Sequence, residues 1–115
     1  NANVEAVDQA GATALMLAAR YGHTDTLNAL AGTYNANVEA VDRMGFKALM
    51  NAAFHGHTDT VNALAGTYNA NVNAVSGIGY TALMLAAGRR HTDTVNALRR
   101  HGATSDDDEA PSARV

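Results

Sequence analysis

The chain has no cysteine and no tryptophan, and only one proline and two phenylalanines among its 115 residues. Without cysteine there is no disulfide framework, no thiolate metal site and no thiol nucleophile. Apolar runs are short, none approaching the roughly 20 residues a membrane helix needs. The N-terminus likewise has no basic segment followed by a hydrophobic core. Positive charge is not in excess either: 11 acidic residues against 8 Lys or Arg leave a net charge of -3. Positions 1–103 carry seven of each sign, and the acidic surplus comes from Asp106, Asp107, Asp108 and Glu109 against Arg114. A near-neutral folded part argues against a broad electrostatic grip on nucleic acid or on a membrane surface. Serine occurs only at 76, 105 and 112, in a turn or the tail. No paired carboxylates and no phosphate-cradling glycine loop stand out, so we expect no enzyme and no cofactor. A cytoplasmic location is expected.

What the chain does have is alanine and repetition. Hydrophobic residues make up 47%, largely as alanine, which suits closely packed short helices better than one large globule. Asn3-Val4-Glu5-Ala6-Val7-Asp8 returns at 37–42, and again as Asn71-Val72-Asn73-Ala74-Val75-Ser76, with a spacing of 34 each time. Ala14-Leu15-Met16 recurs at 48–50 and 82–84, and His23 at 57 and 91. Internal periods of this size signal a stacked repeat architecture.

One unit reads as follows. Asp8-Gln9-Ala10-Gly11 is a tight turn, with Asp bonding its own backbone. Thr13 caps a helix over Ala14 to Tyr21 with Leu15, Ala18 and Ala19 on one side, and Gly22 ends it. Thr24-Asp25 opens a second helix through about Ala31, and Gly32 to Asn37 is a loop. Helices of about two turns do not persist alone, so stability must come from neighbouring units.

Gly11-x-Thr13-x-Leu15, then Ala18-Ala19 and Gly22-His23, resembles the ankyrin repeat. Gly45-x-x-Ala48-Leu49-x-x-Ala52-Ala53-x-x-Gly56-His57 is the second copy. Gly79-x-Thr81-Ala82-Leu83-x-x-Ala86-Ala87 with His91 is the third, and His101-Gly102-Ala103 resembles the closing loop. The resemblance spans residues 3–103. It implies an all-α solenoid of helix-turn-helix units with projecting hairpin turns, in units of about 3–36, 37–70 and 71–103. It also implies binding of another protein through turn tips and the first-helix face.

This chain departs from the family pattern in several places. Ala14, Ala48 and Ala82 stand where the family has Pro, and Met16, Met50 and Met84 where it has His. Lys47 replaces the capping Thr. The first two units are one residue longer than the usual 33, the extra residue falling within Ala31-Gly32-Thr33-Tyr34 and Ala65-Gly66-Thr67-Tyr68. Asn35 and Asn69 stand where the loop glycine is expected, a tolerable exchange because Asn enters the left-handed region readily. Arg90 replaces the glycine of Gly22 and Gly56, a local weak point. Asn1-Ala2-Asn3 matches 35–37, which suggests the C-terminal part of a longer array or an engineered chain. Leu15, Leu17, Leu27 and Leu30 look like an undressed stacking face, so self-association through the first unit is expected as an alternative. The tail, 104–115, is expected to be acidic and disordered.

The non-repeating positions are the candidate partner contacts. Met44 and Phe46 on one turn and Ile78 and Tyr80 on the next form an expected apolar strip, with Arg43 and Lys47 beside it. Phe54, His55 and Arg89 extend it along the first helices. Arg20 and Tyr21 occupy the matching places in the first unit. The opposing reading is that the large turn side chains fold back on neighbouring turns. His23, His57 and His91, one per unit, lack the ligand set of a zinc site and are expected to satisfy a neighbour's backbone. Tyr34 and Tyr68 are expected to be shallow packing. The expected function is a non-enzymatic protein-protein interaction module for a protein or peptide partner; the alternative is a structural spacer, or an engineered scaffold.

Overall fold

Thr13 starts the first helix in the expected way. Its backbone is extended (φ -86°, ψ 167°) and its Oγ1 accepts the Met16 N–H at 3.2 Å. The Met16 sulfur in turn accepts the Thr13 N–H at 3.4 Å, completing a capping box with a thioether where a carboxylate or amide usually stands. The helix, α1, runs Ala14–Arg20. In the computed structural model, which describes residues 3–104, this start recurs with one failure. Thr81 caps α5 (Ala82–Gly88) through the Met84 N–H at 3.2 Å, but Lys47 gives α3 (Ala48–Phe54) no side-chain cap.

After each first helix the chain reverses through Gly22, Gly56 or Arg90, all at positive φ, into a second helix. These are α2 (Thr24–Asn28), α4 (Thr58–Asn62) and α6 (Thr92–Arg100). Here the structure corrects an expectation. The extra residue does not lengthen a loop after Ala31; it is taken up inside the helix. α2 widens into a π-helical turn, Ala29–Thr33, and α4 into another, Ala63–Thr67. Tyr34 and Tyr68 donate their N–H five residues back, to the carbonyls of Ala29 and Ala63, at 3.1 Å each. The third unit lacks the extra residue, and α6 is an uninterrupted α-helix. Insertion of one residue into a helix produces this local widening. Beyond the π turns, Asn35 and Asn69 sit at φ 54°, as the sequence predicts.

The six helices form antiparallel pairs, with α1 on α3 on α5 and α2 on α4 on α6, and there is no strand among the described residues. Leu15, Leu27, Met50, Leu64 and Leu98 are fully buried in a core in which alanine is frequent. Each such leucine contributes about 1.5–3 kcal/mol of burial. Only part of the expected undressed face exists. Leu15 and Leu27 are buried between α1 and α2, and Leu17 is the exposed member of the four.

A repeated set of polar ties fixes the register between units. Thr24 and Thr60 share a hydrogen bond at 2.8 Å, as do Thr58 and Thr94. Glu5 accepts the Asn37 N–H at 2.8 Å and Glu39 the Asn71 N–H at 2.9 Å. Tyr68 donates to Asn28 Oδ1 at 2.8 Å, and His101 occupies the same role one unit on, reaching Asn62 Oδ1 at 3.0 Å. Tyr68 is therefore a tie between units rather than shallow packing alone. The acidic segment from residue 105 onward lies outside the described residues.

Candidate functional site

The three turns project because a side chain closes each from inside. Asp8 Oδ1 accepts the N–H groups of Ala10 and Ala12, and Asp42 Oδ1 those of Met44 and Phe46, all at 2.9 Å. Ser76 does this with a single bond, from the Tyr80 N–H at 3.0 Å. Neighbouring turns are also tied by backbone, Arg43 N–H to the Ala10 carbonyl at 3.0 Å and Gly77 N–H to that of Met44 at 3.3 Å.

On this frame the predicted strip divides. Met44 and Ile78 remain outward, 58% and 60% exposed, with Arg43 exposed beside them. Phe46 turns back and packs against the core. Lys47 is half-buried and its Nζ lies 2.9 Å from Glu39 Oε1, an ion pair internal to the unit. Phe46 and Lys47 are therefore drawn inward, onto the core and onto Glu39 rather than onto a neighbouring turn, while Met44 and Ile78 are not.

Tyr80 leaves the strip and joins the first-helix residues. A shallow cleft of ≈ 270 Å³ is lined by Phe54, Tyr80, Met84, Leu85, Gly88 and Arg89. It thus gathers Tyr80 from the turn, Phe54 from the end of α3 and Arg89 from just beyond α5. The Arg89 guanidinium carbon stands 4.7 Å from the Phe54 ring centre, within cation–π range. The His55 ring meets Phe54 edge-on at 5.0 Å. Met84 was not legible as a lining residue, since it repeats Met16 and Met50, which are buried. Those two are covered once α1 packs on α3 and α3 on α5; Met84 has no such covering helix among the described residues and is 44% exposed.

Electrostatically the rim has one sign. Arg20, over the Tyr21 ring at 5.6 Å, His55 and Arg89 are all exposed at the ends of the first helices. His55 is held below its ordinary value of 6.5, first by burial and then by the charges of Arg20, His57, Arg89 and His91.

The repeated histidines behave as structural groups. His57 Nε2 donates to the Arg20 carbonyl at 2.9 Å and His91 Nε2 to the Phe54 carbonyl at 3.0 Å. Each ring lies flat against the glycine of the preceding unit: a Cβ on Gly22 would stand 2.6 Å from His57 Nδ1, and one on Gly56 2.6 Å from His91 Nδ1. Among the described residues no group of three His, Asp or Glu side chains converges as metal ligands, and no helix is long and apolar enough to cross a membrane.

Comparison with known proteins agrees with this architecture. A family model described as ankyrin repeats (3 copies) matches residues 1–76, and one described as ankyrin repeat matches 78–108. A comparison with curated proteins gave no match.

Proposed function

The chain belongs to the ankyrin repeat family, whose repeats are generally protein-protein interaction modules, and from that premise we propose that it binds a partner segment across its first-helix face. The observation that carries this reading is the cleft at Phe54, Tyr80, Met84 and Arg89. It sets exposed aromatic and apolar surface on a rigid frame next to a guanidinium, the residue types that dominate binding energy at protein interfaces. Met44 and Ile78, with Arg43, extend the contact along the turn tips; Phe46 and Lys47 support it from below. His55 lies between the cleft and the first unit. The fit is by a preformed surface, without chemistry on the partner.

The test is selection of binders from a random 12-residue peptide library on the full chain, followed by mapping of the contact by amide NMR shifts. The expected map centres on Phe54, Tyr80 and Met84, and Tyr80→Ala weakens binding about tenfold, a hot-spot loss. Binders that map to α2, α4 and α6 instead would sink the reading.

Self-association through the first unit has one observation in its favour. His23, Thr26 and Tyr34 occupy the register of His57, Thr60 and Tyr68 but lack the partners those residues have among the described residues. Arg90 opposes it at the other end of the stack, where the histidine of an added copy would need a glycine. Solution mass across a concentration series separates the two readings.

A further inference from the structure

The first-helix face carries two arginines and a histidine held below 6.5, so largely neutral at pH 7. Arg20, His55 and Arg89 come from three successive units and form a row beside the cleft, and none meets a carboxylate among the described residues. The acids among the described residues are committed elsewhere. Glu5, Asp8, Glu39 and Asp42 accept backbone N–H groups in the turns. Asp25, Asp59 and Asp93 sit in the first turns of α2, α4 and α6, where the helix dipole favours them. Every charge that acts on His55 is positive. Both arginines are also held against rings, Arg20 on Tyr21 and Arg89 on Phe54, which reduces the side-chain freedom lost when a partner binds.

Resting on the reading of this face as a protein-binding surface, we propose that its partner is an acidic segment that places carboxylates along Arg20, His55 and Arg89 and an apolar side chain in the cleft between Phe54, Tyr80 and Met84. Charge complementarity selects the segment and the cleft fixes its register. A nucleic acid fits less well. Its affinity rests on neutralising many phosphates, and this face offers two permanent cations and one histidine on a body with equal numbers of each sign over residues 1–103.

The same peptide selection tests this, read now for composition and for charge dependence. Enriched sequences are expected to carry several Asp or Glu residues around one aliphatic or aromatic residue. Arg20→Gln and Arg89→Gln, both at exposed positions, should each weaken such a peptide about three- to tenfold, and raising the salt should weaken it further. Circular dichroism of the variants checks that the fold is kept. The NMR titration midpoint of His55 should rise in the complex, since carboxylates then join a setting made only of Arg20, His57, Arg89 and His91. Neutral or basic winners, or binders indifferent to both Arg substitutions, would overturn the acidic segment while leaving a protein-binding face. A selection that yields no binder at all overturns the binding reading with it. A labelled single-stranded oligonucleotide that binds through Arg20 and Arg89 more tightly than any selected peptide would also overturn the proposal.

Discussion

At Gly22 the backbone stands at φ +72° and an added Cβ would lie 2.6 Å from a ring nitrogen of His57, whereas at Gly88 an added Cβ meets nothing within 4 Å. Substitution by Ala should therefore have opposite signs at the two sites. Gly22→Ala combines the left-handed penalty of about 1–2 kcal/mol with a displaced histidine, for a loss of roughly 2–4 kcal/mol. Gly88→Ala, at the end of α5, should stabilise by about 0.5–1 kcal/mol through helix propensity alone. Urea midpoints of the two variants measure both. His55 adds a pH dependence whose sign follows from its surroundings. Its folded value lies below 6.5, so the unfolded chain takes up the proton first as the pH falls. Its contribution to stability is complete above about pH 6.5 and is lost as the pH falls through the lowered folded value. His55→Gln should flatten that part of the stability profile, read as the difference in urea midpoint between pH 7.5 and pH 5.5.

At the scale of the element, α3 is the helix with a missing cap. Lys47→Thr should restore a bond to the Met50 N–H worth about 1 kcal/mol, against the loss of a half-exposed ion pair to Glu39 worth about 0.2–1 kcal/mol. A small net gain in thermal midpoint is expected. The π turns make a second prediction. Deleting Thr67 should let α4 continue as α6 does, with Tyr68 keeping the place that His101 holds, at a change of no more than about 1 kcal/mol in stability. A collapse of helicity in circular dichroism would count against this. Much of the element level was legible in sequence because Thr13, Gly22, Asn35 and their copies each carry a local backbone requirement. The π turns were not: an added residue in Ala31 to Tyr34 shows only as a longer period, and no residue there carries a local backbone requirement that says whether helix or loop absorbs it. The cleft was half legible for the same reason. Phe54, Tyr80 and Arg89 stand out as non-repeating, but Met84 is identical to its buried copies and differs only in what covers it.

At the scale of the whole molecule, stability is a sum of weak units and the layers between them. Leu49, 3% exposed in the central unit, touches both sums, and Leu49→Ala should cost about 2–5 kcal/mol, read by chemical denaturation. The two end layers are unequal. The first unit presents His23, Thr26 and Tyr34 in the register that His57, Thr60 and Tyr68 use. The third presents Arg90, at φ 63°, where those histidines need a glycine. Arg90→Gly should relieve the left-handed strain and let His23 of a second copy dock, so that mass by sedimentation rises with concentration, and His23→Ala should reverse this. A head-to-tail contact of that kind does not close on itself and propagates without limit. On that prediction the Arg90 side chain is what stops propagation: the same register that zips three units together within the protein would, with one side chain removed, zip copies into a fibre.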